Sequence, residues 1–237
     1  MGIAAQFSKH LHREIDAHAA WLPIANNFAI GDYGLVSDGV FNRMGNISEF
    51  GVNATGTGTN TVQFDFKSEG TNVVSLVGDA QVSALPAEPI DAKLKVEFSK
   101  KDAYLAKAAK ASVTEIPNLA QVAAQLAKAK GWKRKYRVVW TTVTAEDALI
   151  VTSRAANASF ELSGKADVLK QFGLGGASAG VSIASENDVG LSIVGETGVV
   201  GLKLFKLKLW GDEAKMLGPG DEAEIEEDEG DELEDDV

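Results

Sequence analysis

The chain has 237 residues, 45% of them hydrophobic, which is enough for one large domain or two small ones with a sizeable core. It has no cysteine, which excludes disulfides, thiolate catalysis and thiolate metal ligation. The net charge is −11, yet residues 218–237 hold twelve acids and no base, so the remainder balances at +1 and offers no broad field for phosphate.

The N-terminus, "MGIAAQFSKHLHREID", lacks a basic segment followed by an apolar one, so no secretory signal is read. Gln6 stands where an N-myristoylation motif needs Ser or Thr. No apolar run approaches the ~18 residues of a spanning helix, and a cytoplasmic location is the expectation. Phe7, Leu11, Ile15 and Leu22 recur at helical spacing, which predicts an amphipathic helix over 3–22 ended by Pro23. Residues 28–52 read as short strands joined by Gly- and Asp-bearing turns, and "NATGTGTNT" (53–61) as a loop. Val62, Phe64 and Phe66 open a two-strand stretch over 62–78, and "AKLKVEFS" (92–99) alternates with Leu94, Val96 and Phe98 on one face.

Two helices are then expected. Ser99 and Asp102 approximate a capping box before the Ala-rich run that ends at Val113. Asn118 opens a second helix that Gly131 stops. Residues 136–152, rich in β-branched and aromatic side chains, predict one long strand or a hairpin broken near Glu146 and Asp147. Further strands fall at 158–166, 180–185, 189–195 and 201–210. Strict strand–helix alternation is missing, which argues against a doubly wound fold. The expected fold class is α+β: a mainly antiparallel twisted sheet with an N-terminal amphipathic helix and a two-helix insertion. It forms a single domain over 1–211, followed by an acidic, disordered tail over 212–237.

Several segments invite chemistry. His10, Glu14 and His18 are spaced i, i+4, i+8, but three side chains along one straight helix are too spread to converge on one ion. "FGLGGASAG" (172–180) lacks the third glycine of a dinucleotide loop and the Lys-Ser/Thr of a phosphate loop, so it reads as a turn or hinge. No cofactor, metal site or catalytic group is read, and the protein is expected not to be an enzyme. "WKRKYR" (132–137) supplies a possible basic patch of Lys133, Arg134, Lys135 and Arg137, beside two aromatics. Positive charge after a helix C-terminus also complements the helix dipole, and nucleic acid is not the expected partner. In "GLKLFKLKLW" (201–210) the alternation slips at Phe205, which a β-bulge would explain; Lys203, Lys206, Lys208 and Trp210 form a possible surface for a membrane or partner.

The leading helix, the run of strands, the helical insert, "YRVVWTTVTAEDALIVTS" and the closing "VGLSIVGETGVVGLKLFKLKL" together resemble, in element order, the pore-forming domain of gasdermins. There a "YVV"-type strand precedes a later strand ending in an apolar-basic segment. The resemblance implies a membrane-acting protein, here masked by its acidic tail. The residues alone point first to a non-enzymatic cytosolic binding or assembly protein that meets a protein partner or copies of itself, with no small-molecule substrate in view.

Overall fold

The computed structural model describes residues 2–37, 39–62, 64–108, 110–171, 181–208 and 213–217. In chain order the elements are α1 (Ile3–Ile15), β1 (His18–Ala19), β2 (Asp32–Ser37), β3 (Val40–Asn46), a 3-10 turn (Ile47–Phe50), β4 (Thr57–Val62), β5 (Asp65–Lys67), β6 (Thr71–Val77), β7 (Ala80–Val82) and β8 (Asp91–Phe98). Then come β9 (Tyr104–Lys107), β10 (Lys110–Glu115), α2 (Leu119–Leu126), β11 (Arg137–Ser153), β12 (Ala158–Lys165), α3 (Ala166–Gln171), β13 (Ser182–Asn187), β14 (Val189–Leu207) and β15 (Ala214–Leu217). The fold is α+β and mostly antiparallel. It divides into two compact units. One comprises Met1–Thr59, Val113–Val143 and Val199–Val237; the other comprises Asn60–Ser112 and Thr144–Gly198.

In the first unit β14 lies between β1 and β11, and β15 pairs with its end. The β2–β3 hairpin joins β11 through Arg137↔Gly34 and Val138↔Tyr33. The pairing of β2 with β3 shifts between Tyr33 and Gly34. There a Cβ on Gly34 would come 2.0 Å from the Asn42 carbonyl oxygen, so only glycine fits. Two apolar clusters form. Leu202 and Leu204 of β14 join Ala20, Phe41, Val139 and Leu217 in one. Phe205 and Leu207 join Tyr33, Ile47, Val122, Leu126 and Val138 in the other.

That division explains the slip at Phe205. The register with β15 runs unbroken from Leu204↔Leu217 to Leu207↔Ala214, so no bulge interrupts it. Alternate residues of a strand face opposite ways, and here apolar material covers both sides in turn.

The second unit holds a five-stranded sheet in the order β13-β12-β8-β6-β7. The alternation expected over 92–99 is present. Val96 stands opposite Phe160, Leu94 opposite Leu162 and Phe98 opposite Ala158. These enter one core with Leu105, Leu149 and Val151, closed by Ala166 and Leu169 of α3. On the other face Lys93 pairs with Glu161 at 3.1 Å.

Several expectations need correcting. The Ala-rich run after Ser99 is not a helix but β9 and β10, so the helical insertion is α2 alone. Ala103, Tyr104, Leu105 and Ala106 are all buried, and β9 pairs with β11 on one edge and β5 on the other. Alanine's helix preference, a few tenths of a kcal/mol per residue over most neighbours, yields to that burial. Ser99 caps nothing; its hydroxyl donates to the Gly70 carbonyl at 3.2 Å.

The N-terminal helix stops at Ile15, not Leu22. Asp16 turns left-handed (φ 52°), and Ala17–Ala20 run extended and buried, with the Ala19 N–H donating to Ser8 Oγ at 3.1 Å. Residues 57–61, expected as loop, belong to β4. The stretch 189–210 is one strand as far as Leu207, and 136–152 is likewise one long strand.

Residues 214–217, assigned by sequence to the tail, form β15 against β14. The acidic run 218–237 and the loop 172–180 lie outside the described residues.

Candidate functional site

The segment between Glu115 and Glu146 carries six bases and no acid: Lys128, Lys130, Lys133, Arg134, Lys135 and Arg137. Local structure sorts them. α2 ends at Leu126, and the chain turns through Gly131, which adopts φ 84°. Arg137 opens β11 and is only 4% exposed; its Nη1 donates to the Lys135 carbonyl at 2.8 Å and the Arg134 carbonyl at 3.4 Å. It braces the turn from within. Arg134 is half-buried and donates to the carbonyl of Lys208. Lys128, Lys130, Lys133 and Lys135 remain as exposed charges.

The segment that carries these lysines also carries Trp132 and Tyr136, whose rings meet two more. Trp132 packs edge-on against Phe50 (5.2 Å between ring centres), Tyr136 (5.3 Å) and Tyr33 (5.7 Å). Tyr33 also meets Phe50 at 5.2 Å and Tyr136 at 5.1 Å. Such edge-to-face pairs add roughly 0.5–1.5 kcal/mol each beyond their buried area.

Phe50 is positioned by the 3-10 turn, whose start is closed by a reciprocal capping box. The Ser48 N–H donates to Asn46 Oδ1 at 3.1 Å, and the Asn46 N–H donates to Glu49 Oε1 at 3.0 Å. Glu49 Oε2 accepts from the Tyr33 hydroxyl at 3.2 Å. Burial, then the Glu49 carboxylate, pushes the Tyr33 phenol above its usual value, so Tyr33 stays a donor at neutral pH. Phe50, Trp132 and Tyr136 are half-exposed. The result is a fixed platform of four rings, three of them half-exposed, two of which share a chain segment with the exposed lysines. Sequence reasoning found the basic run and its two aromatics but missed Tyr33 and Phe50. They lie about a hundred residues earlier, and only the pairing of β2 with β11 brings them in.

The lysines of β14 are placed differently. Lys203 reaches Asp16 at the end of α1, at 3.6 Å. Lys206 is 8% exposed and stands opposite Lys215. Lys208 pairs with Glu213, whose carboxyl is held below its usual range by that contact. Lys203 faces the opposite way from Lys206 and Lys208, as strand alternation requires. Trp210 lies outside the described residues. His18 sits on β1 rather than on the helix, which takes it off the side shared by His10 and Glu14.

A separate cavity of about 290 Å³ is lined by Trp21, Asn26, Asn27, Asn42 and Arg43, among others. Its polar groups bond internally: Asn26 to the Leu22 carbonyl, Asn42 to the Val40 carbonyl, and Arg43 to Asp32. Among the described residues no helix is long and apolar enough to cross a membrane.

No protein-family model matches this chain, and no curated protein does. Among solved structures, a bacterial gasdermin from Bradyrhizobium tropiciagri is similar over 90% of each chain, with 14% sequence identity and a TM-score of 0.40.

Proposed function

We propose that this protein acts on membranes as a gasdermin-like pore former, that the platform of Phe50, Trp132 and Tyr136 with Lys128, Lys130, Lys133 and Lys135 is its contact with anionic lipid, and that the acidic residues 218–237 mask that contact. One observation carries the reading: a half-exposed aromatic cluster built on a stretch that carries four exposed lysines and, over thirty residues, not one acid. Trp and Tyr favour the bilayer interface because one side of the ring is apolar and the other tolerates water. Each lysine near an anionic surface adds roughly 1 kcal/mol, and the attraction fades within a Debye length of about 8 Å. A body of charge +1 therefore binds through this local cluster rather than through its overall field. Pore formation requires copies of the chain to associate, so self-assembly belongs to the same proposal.

The test uses the full chain and a version ending at Leu217, with vesicles of neutral lipid alone or with phosphatidylserine. The truncated protein is expected to bind the anionic vesicles and release entrapped dye, and the full chain to do so far less. Replacing Lys133 and Lys135 by Gln removes about 2 kcal/mol of attraction, a loss near thirty-fold in affinity. Absence of binding by both proteins at low salt would overturn the reading.

A further inference from the structure

The edge of β14 is held by short strands whose meeting point is occupied by a histidine. β1 pairs through His18↔Leu202 and Ala19↔Gly201, and β15 takes over at Leu204↔Leu217. Strand alternation puts His18, Leu202, Leu204 and Leu217 on one face, and the last three share one apolar cluster with Ala20 and Phe41. His18 is 3% exposed, and neither ring nitrogen meets a partner at full hydrogen-bond geometry, although the Leu217 main chain lies close enough to favour the charged ring slightly. A neutral imidazole in such a place leaves a donor and an acceptor unmade; a charged one would be far worse.

We infer that His18 makes the docking of β15, and with it the attachment of the C-terminal acidic segment, sensitive to acid: protonation of the buried ring forces β1 and β15 apart from β14. The surroundings favour that outcome. α1 presents His12 and Asp16, which are 3.1 Å apart, and Asp16 is also engaged by Lys203. On the face that His18 shares, β14 contributes Lys206 and β15 contributes Lys215, directly opposite one another. From β3, Arg43 is held by Asp32 at 3.2 Å. A proton on His18 thus adds a cation that His12 repels and only Asp16 offsets, and Lys206 and Lys215, further along the same face, supply no compensating negative charge. Burial, then the charge of His12, lowers the imidazole pKa to about 4, against smaller opposing effects from Asp16 and the Leu217 main chain. Once the seam opens, the ring meets water and returns to its ordinary value near 6.5. The open form therefore binds the proton more tightly, and closure weakens as pH falls from about 6.5 toward 4.

Hydrogen exchange of the full-length protein, followed from pH 7 to pH 4.5 and corrected for intrinsic exchange rates, tests this without any membrane. Protection of the β15 amides is expected to fall on the order of fifty-fold in the wild type and by less than three-fold in His18→Leu. Equal losses in the two proteins would assign the effect to carboxylates such as Asp16 or Glu213 and overturn the inference. Unchanged protection in the wild type would overturn it as well. Should His18→Leu fail to fold, the wild-type ring resonances decide. A His18 titration tracking the loss of β15 protection supports the inference; one proceeding near pH 6.5 with β15 still protected refutes it.

Discussion

At the scale of single residues, buried polar groups and forced glycines set the sharpest expectations. His18 destabilises the native state in acid because its folded pKa, about 4, lies below the unfolded 6.5. Its neutral burial is tolerated fully above pH 6.5, and stability is lost as pH falls through the interval down to 4. The shift corresponds to roughly 3 kcal/mol, so urea midpoints at pH 7 and pH 4.5 should separate more in the wild type than in His18→Leu. Gly34 gives a pH-independent counterpart. Gly34→Ala sets a methyl against the Asn42 carbonyl and should cost roughly 1–3 kcal/mol, read from denaturant unfolding at neutral pH. Neither effect was visible in the sequence. His18 looked like a helical residue because Phe7, Leu11 and Ile15 set a helical rhythm that the burial of Ala17–Ala20 then interrupts.

At the scale of elements, alternation proved informative wherever one face is wet. The strand over 92–99 could be read from Leu94, Val96 and Phe98 because Lys93, Lys95 and Glu97 mark the solvent side. β9 could not, because the run Ala103–Ala106 is buried throughout and composition then favours a helix. The same holds for Leu204 to Leu207, where two clusters on opposite sides erase the alternation. The candidate site was half legible: its cations are contiguous in sequence, whereas its rings come from β2, the 3-10 turn and the segment before β11. The turn's capping box is the element to perturb. Asn46→Ala should cost about 1 kcal/mol of stability and loosen Phe50, seen as a change in Trp132 emission and a weaker vesicle affinity.

At the scale of the whole molecule the decisive quantity is where charge resides. With twelve acids confined to residues 218–237, the chain ending at Leu217 carries +1 rather than −11. A protein so close to neutrality has little self-repulsion, so the truncated form should associate at concentrations where the full chain stays dispersed. Sedimentation at neutral pH measures this directly, and identical mass distributions would show that the acidic residues do not keep copies apart. The uneven charge was legible at once, since counting needs no structure. That β15 ties the start of this region to β14 required the fold, because Ala214–Leu217 is too short and too mixed to announce a strand.

One small contact joins the candidate surface to that seam. Arg134 donates to the carbonyl of Lys208, one residue beyond β14, while Lys208 holds Glu213 at the entrance to β15. The lipid contact proposed for the lysines and the retention of β15 thus meet at Lys208, and any coupling between them is mutual by thermodynamic linkage. If lipid loosens β15 by some factor, then loosening β15 by other means strengthens lipid binding by that same factor. Arg134→Ala, with both binding constants measured, should uncouple the two events while leaving each able to occur alone.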